Sequence, residues 1–401
     1  MASPLAQAYT QTKAWIRVRV GLDTPMNHSP LPALLTVLLQ CAAVACGITM
    51  ISGIVLALWY EPSSRPITDM NGSMQALAYA HTLSIGSHGD TLALPGEALM
   101  VPLSADRQPL FFDSALAHNC TIVRHQGMPV QLHAAAASVE ITLTNRHPTG
   151  AWLRAVHIWS VHLLMFSLIG AAVTMMIQCS WRSPNEFLWL SIVGILFVSA
   201  LSAWTGSLLP WTVFSVVSAQ IVGTFIHDYL PIAGTTISNL FLRGDTVSDH
   251  TLPRIFSLHA LLLPIVLLML WRFVHILYKR LHHPLFDSVT WSRIISIIPI
   301  TVMILAYGIS PLRTGPSFIP ADTSFAVTAL PDTKPAWYFL PFFTVLRSLP
   351  ADAVMLIFLT ISTCIMVMPA LDRRIPSWLL HTATIATILI FVWLGIKGFI
   401  Q

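Results

Sequence analysis

Gly150-Ala-Trp-Leu-Arg-Ala-Val-His157 opens an apolar run that continues to about Ser180, and Arg154, His157 and His162 are its only basic side chains before Arg182. A helix needs about 20 mostly apolar residues to cross a bilayer. This stretch is long enough and carries no acidic side chain, so it reads as a membrane-spanning helix over residues 155–180. Six further runs have the same character, at about 31–60, 187–208, 255–279, 294–310, 353–371 and 378–396. The chain is therefore expected to be an all-α polytopic membrane protein with about seven transmembrane helices.

Composition agrees. The 401 residues are 55% hydrophobic and 9% charged, against about 25% charged in soluble domains. Mean hydropathy is +0.71. The net charge of +4 is accounted for by basic loops on one membrane face and needs no nucleic-acid partner. The cysteines, Cys41, Cys46, Cys120, Cys179 and Cys364, are scattered, so no disulfide framework is implied. No C-x-x-C-H occurs, which excludes that mode of covalent haem attachment. Asn119-Cys120-Thr121 is a glycosylation sequon, meaningful only in a eukaryotic secretory setting.

Seven spans put the termini on opposite sides. Residues 1–30 carry Lys13, Arg17 and Arg19 without a short apolar core, and read as a cytoplasmic arm rather than a cleaved signal. That arm and the short connections bearing Arg182, Lys279, Arg280, Arg373 and Arg374 share one face, which the positive-inside rule makes cytoplasmic (or matrix). The opposite face receives the long segments 61–150, 209–254 and 311–352. The first of these mixes Pro, Gly and His with short apolar runs and reads as an irregular or β-rich extramembrane insert after the first helix, at about 69–137.

Ionisable groups inside a membrane are functional candidates. His157 on the second helix and His259 near the start of the fourth both fall toward the long-loop face. Two neutral imidazoles on facing helices can ligate one haem iron. Each can equally well hydrogen-bond a nearby carbonyl, and spacing alone leaves both readings open. His81, His88, His118, His125, His133 and His147 crowd the insert beside Cys120 without metal-ligand spacing. His282 and His283 follow basic residues and are expected to face water or headgroups.

Several motifs together resemble the cytochrome b family. Gly150–His157 resembles the segment around its first haem ligand, and Thr205-Gly-Ser-Leu-Leu-Pro-Trp211 its G-Y-x-L-P-W stretch. Gly234-Thr-Thr236 and Thr251-Leu-Pro-Arg-Ile-Phe-Ser-Leu-His259 are similar to the approach to its fourth helix. Pro335-Ala-Trp-Tyr338 and Leu346-Arg-Ser-Leu-Pro350 resemble its P-E-W-Y region and sequel. Ser52-Gly53, Tyr60-Glu-Pro62 and Ser138-Val-Glu140 match the flanks of its first two helices. The blocks stand in the family's order and cover nearly all of residues 31–371; the family's last helix has no counterpart here.

The resemblance implies a cytochrome b-type helical bundle: an arm (1–30), a first helix (31–60), a loop with insert (61–150), haem-binding helices two to four (151–279) and a C-terminal region of three helices with the P-A-W-Y loop (280–401). It implies haem b, axially ligated through iron by His157 and His259. Gly53 and Gly206 would clear the porphyrin and Arg154 would pair with a propionate. The family's second haem lies about fourteen residues, or about 21 Å, further along the helices. At that level this sequence has Leu39, Ala171, Ile192 and Val274 where two glycines and two histidines are expected. Such paired changes suit a filled cavity. Gly47 and Gly194 are off the pattern and are expected to pack helices.

The quinone-site-like residues are Pro210, Trp211, Thr212, Pro335, Trp337 and Tyr338, with Thr212 where the family has glycine. Ala336 replaces the P-E-W-Y glutamate, a proton acceptor, so no catalytic residue is assigned. His227 and Asp228 are an alternative acceptor or simply a solvated pair. The implied partners are a Rieske-type iron–sulfur protein, a c-type cytochrome, a quinone, the lipid bilayer and a second cytochrome b. Two functions compete: a one-haem electron-transfer subunit of a respiratory bc-type complex in an energy-transducing membrane, and a haem-poor structural paralogue beside an intact cytochrome b.

Overall fold

In a computed structural model, the described residues are 31–309 and 334–400, apart from short stretches at 82–83, 86–90, 94–96, 112–113, 126, 147–148, 183–184, 230–233, 243–246, 248, 281–284, 287–288 and 372–375. Of the N-terminal arm only Thr10, Lys13 and Ala14 are included. The expectations for most of that arm, for His88, His147, His282, His283, Arg373 and Arg374, and for residues 311–333 lie outside the described residues.

Seven helices are long and apolar enough to cross a membrane: Ala33–Ala57, Gly150–Ile177, Glu186–Leu208, Thr251–Arg280, Val289–Gly308, Asp352–Pro369 and His381–Ile400. The expected spans are all present. Their ends differ by a few residues because local backbone features set them. Pro32 stands immediately before the first span, where a missing N–H costs nothing. Gly150, the first residue of the second span, has the backbone carbonyl of Leu143 where a Cβ would be, so a side chain does not fit there. Its 28 residues make a rod of about 42 Å.

The first span packs most extensively on the second and the third on the fourth, and these four form the bundle core. Helices do not gain from leaving lipid as they would from leaving water, so close packing and hydrogen bonds hold them. Gln40 Nε2 donates to the Leu285 carbonyl at 2.6 Å, and Trp189 Nε1 donates to that of Ile365 at 3.1 Å, tying the third span to the sixth. The sixth span has no fully buried residue between Asp352 and Pro369.

Among the described residues, the 209–254 segment contains the helices Val213–Tyr229 and Gly234–Leu242 ahead of the fourth span. The insert folds as the expected β-rich module. Gln75–Ala80 lies between Ala98–Pro102 and Cys120–Ile122, antiparallel to both. Alternation puts Leu77 and Tyr79 on one face with Val130, Leu132 and Val139. Ala76 and Ala78 pack on the other with Val101 and Ile122. All six residues of the central strand are buried, as period-2 geometry requires of a strand covered on both faces. A π-helical segment, Ser138–Arg146, joins the module to the second span. Among the described residues, three hydrogen bonds seat this extramembrane region: Tyr79 Oη donates to Glu140 Oε2 (2.8 Å), Ser64 Oγ to Asp249 Oδ1 (3.0 Å) and Tyr60 Oη to the Leu209 carbonyl (2.7 Å).

Candidate haem and quinone sites

His157 on the second span and His259 on the fourth face one another, with ring centroids 6.4 Å apart. Two imidazoles sharing one metal, each at a metal–nitrogen distance of about 2 Å, have centroids roughly that far apart. His259 sits in a π-helical turn, Leu258–Leu262, a distortion often found at functional sites.

Each ring is anchored by its neighbour helix in the same way. His157 Nδ1 lies 3.0 Å from the Thr49 carbonyl and 3.1 Å from Ser52 Oγ. His259 Nδ1 lies 3.0 Å from the Ser202 carbonyl and 3.2 Å from Thr205 Oγ1. A carbonyl only accepts, so in the neutral ring Nδ1 carries the proton and Nε2 keeps its lone pair. Ser52 and Thr205 spend their own protons on backbone carbonyls one turn back. Among the described residues neither Nε2 makes a hydrogen bond. A lone pair on Nε2 fixed by an Nδ1–H bond is the usual state of a metal-ligating histidine.

The glycines stand against these rings. A Cβ on Gly53 would lie 3.1 Å from His157 Cε1, and one on Gly206 2.7 Å from His259 Cε1. The anchors have a matching pattern, Thr49-x-x-Ser52-Gly53 on the first span and Ser202-x-x-Thr205-Gly206 on the third. Among the described residues no three His, Cys, Asp or Glu side chains converge as a metal site. Haem needs only two protein ligands, so the donor set here fits it.

Arg154, one turn before His157, makes an ion pair with the buried Glu140 at 3.5 Å. Glu140 also receives Tyr79 from the central strand of the module. The arginine thus stands one turn from His157 but already has a carboxylate partner from its own chain. In the sequence Glu140 stands out only as part of a motif; its place opposite Arg154 cannot be read there.

At the inner level Leu39, Ala171, Ile192 and Val274 are all fully buried in one cluster with Leu35, Leu168 and Trp271. His275 stacks on Phe286, with centroids 5.2 Å apart. Gly194 packs against Leu270, 3.8 Å from a would-be Cβ, as expected of a helix-packing glycine. Gly47 differs: its Cβ position meets nothing within 4 Å, so it fills no tight contact among the described residues.

The two quinone-site-like segments are not joined by any hydrogen bond or ring contact among the described residues. Trp211 is buried against Ala135 and Leu252. It has φ of 51°, a backbone state uncommon for a bulky side chain and typical of constrained functional turns. Thr212 bonds with Ser215, and Pro210 lies in the turn between them and the third span. Pro335 and Ala336 lead into Trp337 and Tyr338, which pack instead on the second span. Trp337 Nε1 donates to His162 Nδ1 at 3.1 Å, and the Tyr338 ring lies 5.8 Å from that imidazole. His227 Nδ1 is 2.8 Å from Asp228 Oδ1, both side chains about half exposed, as in a solvated pair.

Known proteins resemble this chain in sequence and fold. The family model described as Cytochrome b(N-terminal)/b6/petB matches residues 162–309, and Cytochrome b(C-terminal)/b6/petD matches 325–399. The first block begins five residues after His157, so the matched segment does not include that histidine. A cytochrome bc complex cytochrome b subunit of Chlorobaculum thiosulfatiphilum is 35% identical over 117 residues, 29% of this chain and 27% of that protein. Cytochrome b of Rhodospirillum rubrum is 30% identical over 191 residues, 43% and 45% of the two chains. The chain thus spans less than half the length of these two relatives. Cytochrome b6 of Emiliania huxleyi is 32% identical over 153 residues, 38% of this chain and 70% of that one. A chain of a hyperthermophilic respiratory Complex III has the same fold, with a TM-score of 0.62 at 20% identity over 97% of this chain and 89% of its own. The paired histidines on a four-helix core, the ordered motifs and these matches show that the chain belongs to the cytochrome b/b6 family.

Proposed function

We propose that this chain is a membrane subunit of a bc-type electron-transfer complex that holds a single low-potential b haem between His157 and His259. The observation that carries the proposal is the pair of facing imidazoles, each with Nδ1 anchored to a carbonyl and Nε2 left for a metal. A haem bound there supplies one-electron redox chemistry. The chain's own residues hold the two rings in one tautomer, leave room at Gly53 and Gly206, and place Arg154 toward a propionate while Glu140 shares its charge.

The packed level around Leu39, Ala171, Ile192 and Val274 supports the absence of a second haem. Without it the chain relays an electron at the outer face and does not carry it across the membrane by itself. Its place is an energy-transducing membrane, with the N-terminus on the cytoplasmic or matrix side and the module opposite. Its partners there are a Rieske-type iron–sulfur protein, a c-type cytochrome and a second, intact cytochrome b. The segments around Trp211 and Trp337 are remnants of a quinone site that still admits a quinone.

The purified chain should give one b haem per polypeptide by pyridine haemochrome. His157→Ala should lose the b-type absorbance while the protein stays in the membrane. Unchanged haem content in that variant would overturn the assignment. A second reading, a haem-free scaffold, is favoured by Ala336 and by the Arg154–Glu140 pair, which already neutralises the propionate partner. It predicts no haem in the unmodified chain.

A further inference from the structure

Glu140 is a carboxylate with 1% of its side chain exposed, and it lies in the joining element Ser138–Arg146 rather than in a span. Its neighbours in sequence, Val139 and Ile141, belong to the module core with Leu77, Tyr79 and Leu132. Tyr79, from the central strand, donates to Glu140 Oε2 at 2.8 Å. The joining element also meets the second span backbone to backbone, because Gly150 leaves room for the Leu143 carbonyl. These contacts fix the carboxylate 3.5 Å from Arg154, whose side chain is itself only 13% exposed. Arg154 and His157 stand at i and i+3, on one face of the second span.

A guanidinium keeps its charge at any pH a protein meets. Ferric haem carries one more positive charge than ferrous haem, so an uncompensated cation nearby favours the reduced iron and raises the potential; net charge and burial are among the protein's means of setting it. Buried charges are little screened by salt. Here the cation one turn from His157 comes with a counter-charge from its own chain, sealed from water on both sides. The pair brings no net charge to the ligand, and Tyr79 holds the carboxylate in place from the module side.

We infer that Glu140 is a positioning residue that keeps the potential of a haem between His157 and His259 low by cancelling the charge of Arg154. This rests on the one-haem reading and deepens it. The module then belongs to the electrostatic environment of the haem, because its central strand and the joining element hold the carboxylate that does the cancelling.

The test is a redox titration of the full-length purified chain, read from its b-type absorbance. Glu140→Gln keeps an oxygen to accept from Tyr79 and removes the charge. At a fixed potential its ferrous-to-ferric ratio should rise about tenfold, or about 59 mV for one electron. Glu140→Asp, which keeps the charge, should titrate close to the unmodified chain. The double variant Glu140→Gln, Arg154→Gln removes both charges and should fall back toward the unmodified potential, a reversal that a merely structural role does not produce. Asp228→Asn, at the exposed His227 pair, should leave the potential where it was. Should Glu140→Gln fail to accumulate with haem, the redox-induced infrared difference spectra of the unmodified chain and of Glu140→Asp decide. A carboxylate band that moves on reduction and differs between the two supports the inference, and identical spectra overturn it. If the unmodified chain binds no haem, the one-haem reading falls and this inference with it. If it binds haem and Glu140→Gln leaves the potential unchanged, or the double variant keeps the raised potential, the role of Glu140 falls while the haem site stands.

Discussion

At the scale of the residue, two histidines with the same side chain are given opposite chemistry by one neighbour each. A carbonyl beside Nδ1 puts the proton of the neutral His157 ring on Nδ1; an indole N–H beside Nδ1 of His162 puts it on Nε2. The glycines allow a sharp comparison. Gly206→Ala puts a methyl 2.7 Å from His259 Cε1, so the ring must turn away from its Ser202 anchor. Haem content should fall severalfold or more. Gly47→Ala, with open space around it, should leave haem content unchanged. Equal haem in both variants would remove the glycine from the site. Outside the spans, burial pushes the Tyr60 and Tyr338 phenols well above the usual tyrosine range. The neutral phenol is thus favoured by the fold, a stabilisation fully present below about pH 10 and lost as pH rises toward the folded values. Of the seven tyrosines, these two should stay protonated at about pH 11 in the folded protein. The double variant Tyr60→Phe, Tyr338→Phe should therefore give the same tyrosinate absorbance there as the unmodified chain; a lower absorbance would show that they titrate normally.

At the scale of the element, the inner level of the bundle is a packing unit rather than a set of missing ligands. Ala171→His with Val274→His supplies two imidazoles, but Leu39 and Ile192 still fill the space between them. A close-packed interior accommodates added volume only with strain, so the double variant should bind no second haem and should lose thermal stability. Adding Leu39→Gly and Ile192→Gly should be needed before a second b-type band appears. A second haem in the double variant alone would show that the level is loosely packed. The Ser138–Arg146 element joins module and bundle through Glu140. Glu140→Ala leaves Arg154 buried opposite nothing charged, at a cost of about 3–5 kcal/mol for a broken buried pair, and should lower the unfolding temperature far more than Asp228→Ala at the exposed His227 pair. Similar effects from both would mean that the buried pair is not holding the junction.

At the scale of the whole molecule, the proposed one-haem chain lacks both a route and a proton acceptor for bifurcated quinol oxidation. Ala336→Glu restores the acceptor, a group whose absence typically costs about 10²–10⁴-fold. It cannot restore the route across about 20 Å of helix. The variant, separated from any second cytochrome b, should remain unable to reduce a c-type cytochrome with quinol. Turnover at ordinary rates, blocked by an inhibitor of an inner quinone site, would refute the one-haem proposal. The module presents a surface over the outer loops, and cross-linking in the native membrane should join it to a neighbouring subunit.

Much of this was legible in one dimension because it depends on local chemistry. Seven spans follow from runs of apolar side chains that only a helix can carry through lipid, since every backbone group must be satisfied within its own segment. The order of the motifs pointed to the family, and that resemblance, combined with the fixed rise of a helix, implied that His157 and His259 share one level and Leu39, Ala171, Ile192 and Val274 another. What the tertiary structure decided is everything set by the approach of separate elements: the tautomers of His157, His259 and His162, the pairing of Arg154 with Glu140, and the docking of Trp337 on the second span rather than on the turn at Trp211. A hydrogen bond between residues a hundred positions apart depends on helix rotation and crossing, to which spacing within either helix is blind. That is why the sequence alone leaves the tautomer of each histidine open, and the carbonyl or indole across from it decides which nitrogen carries the proton.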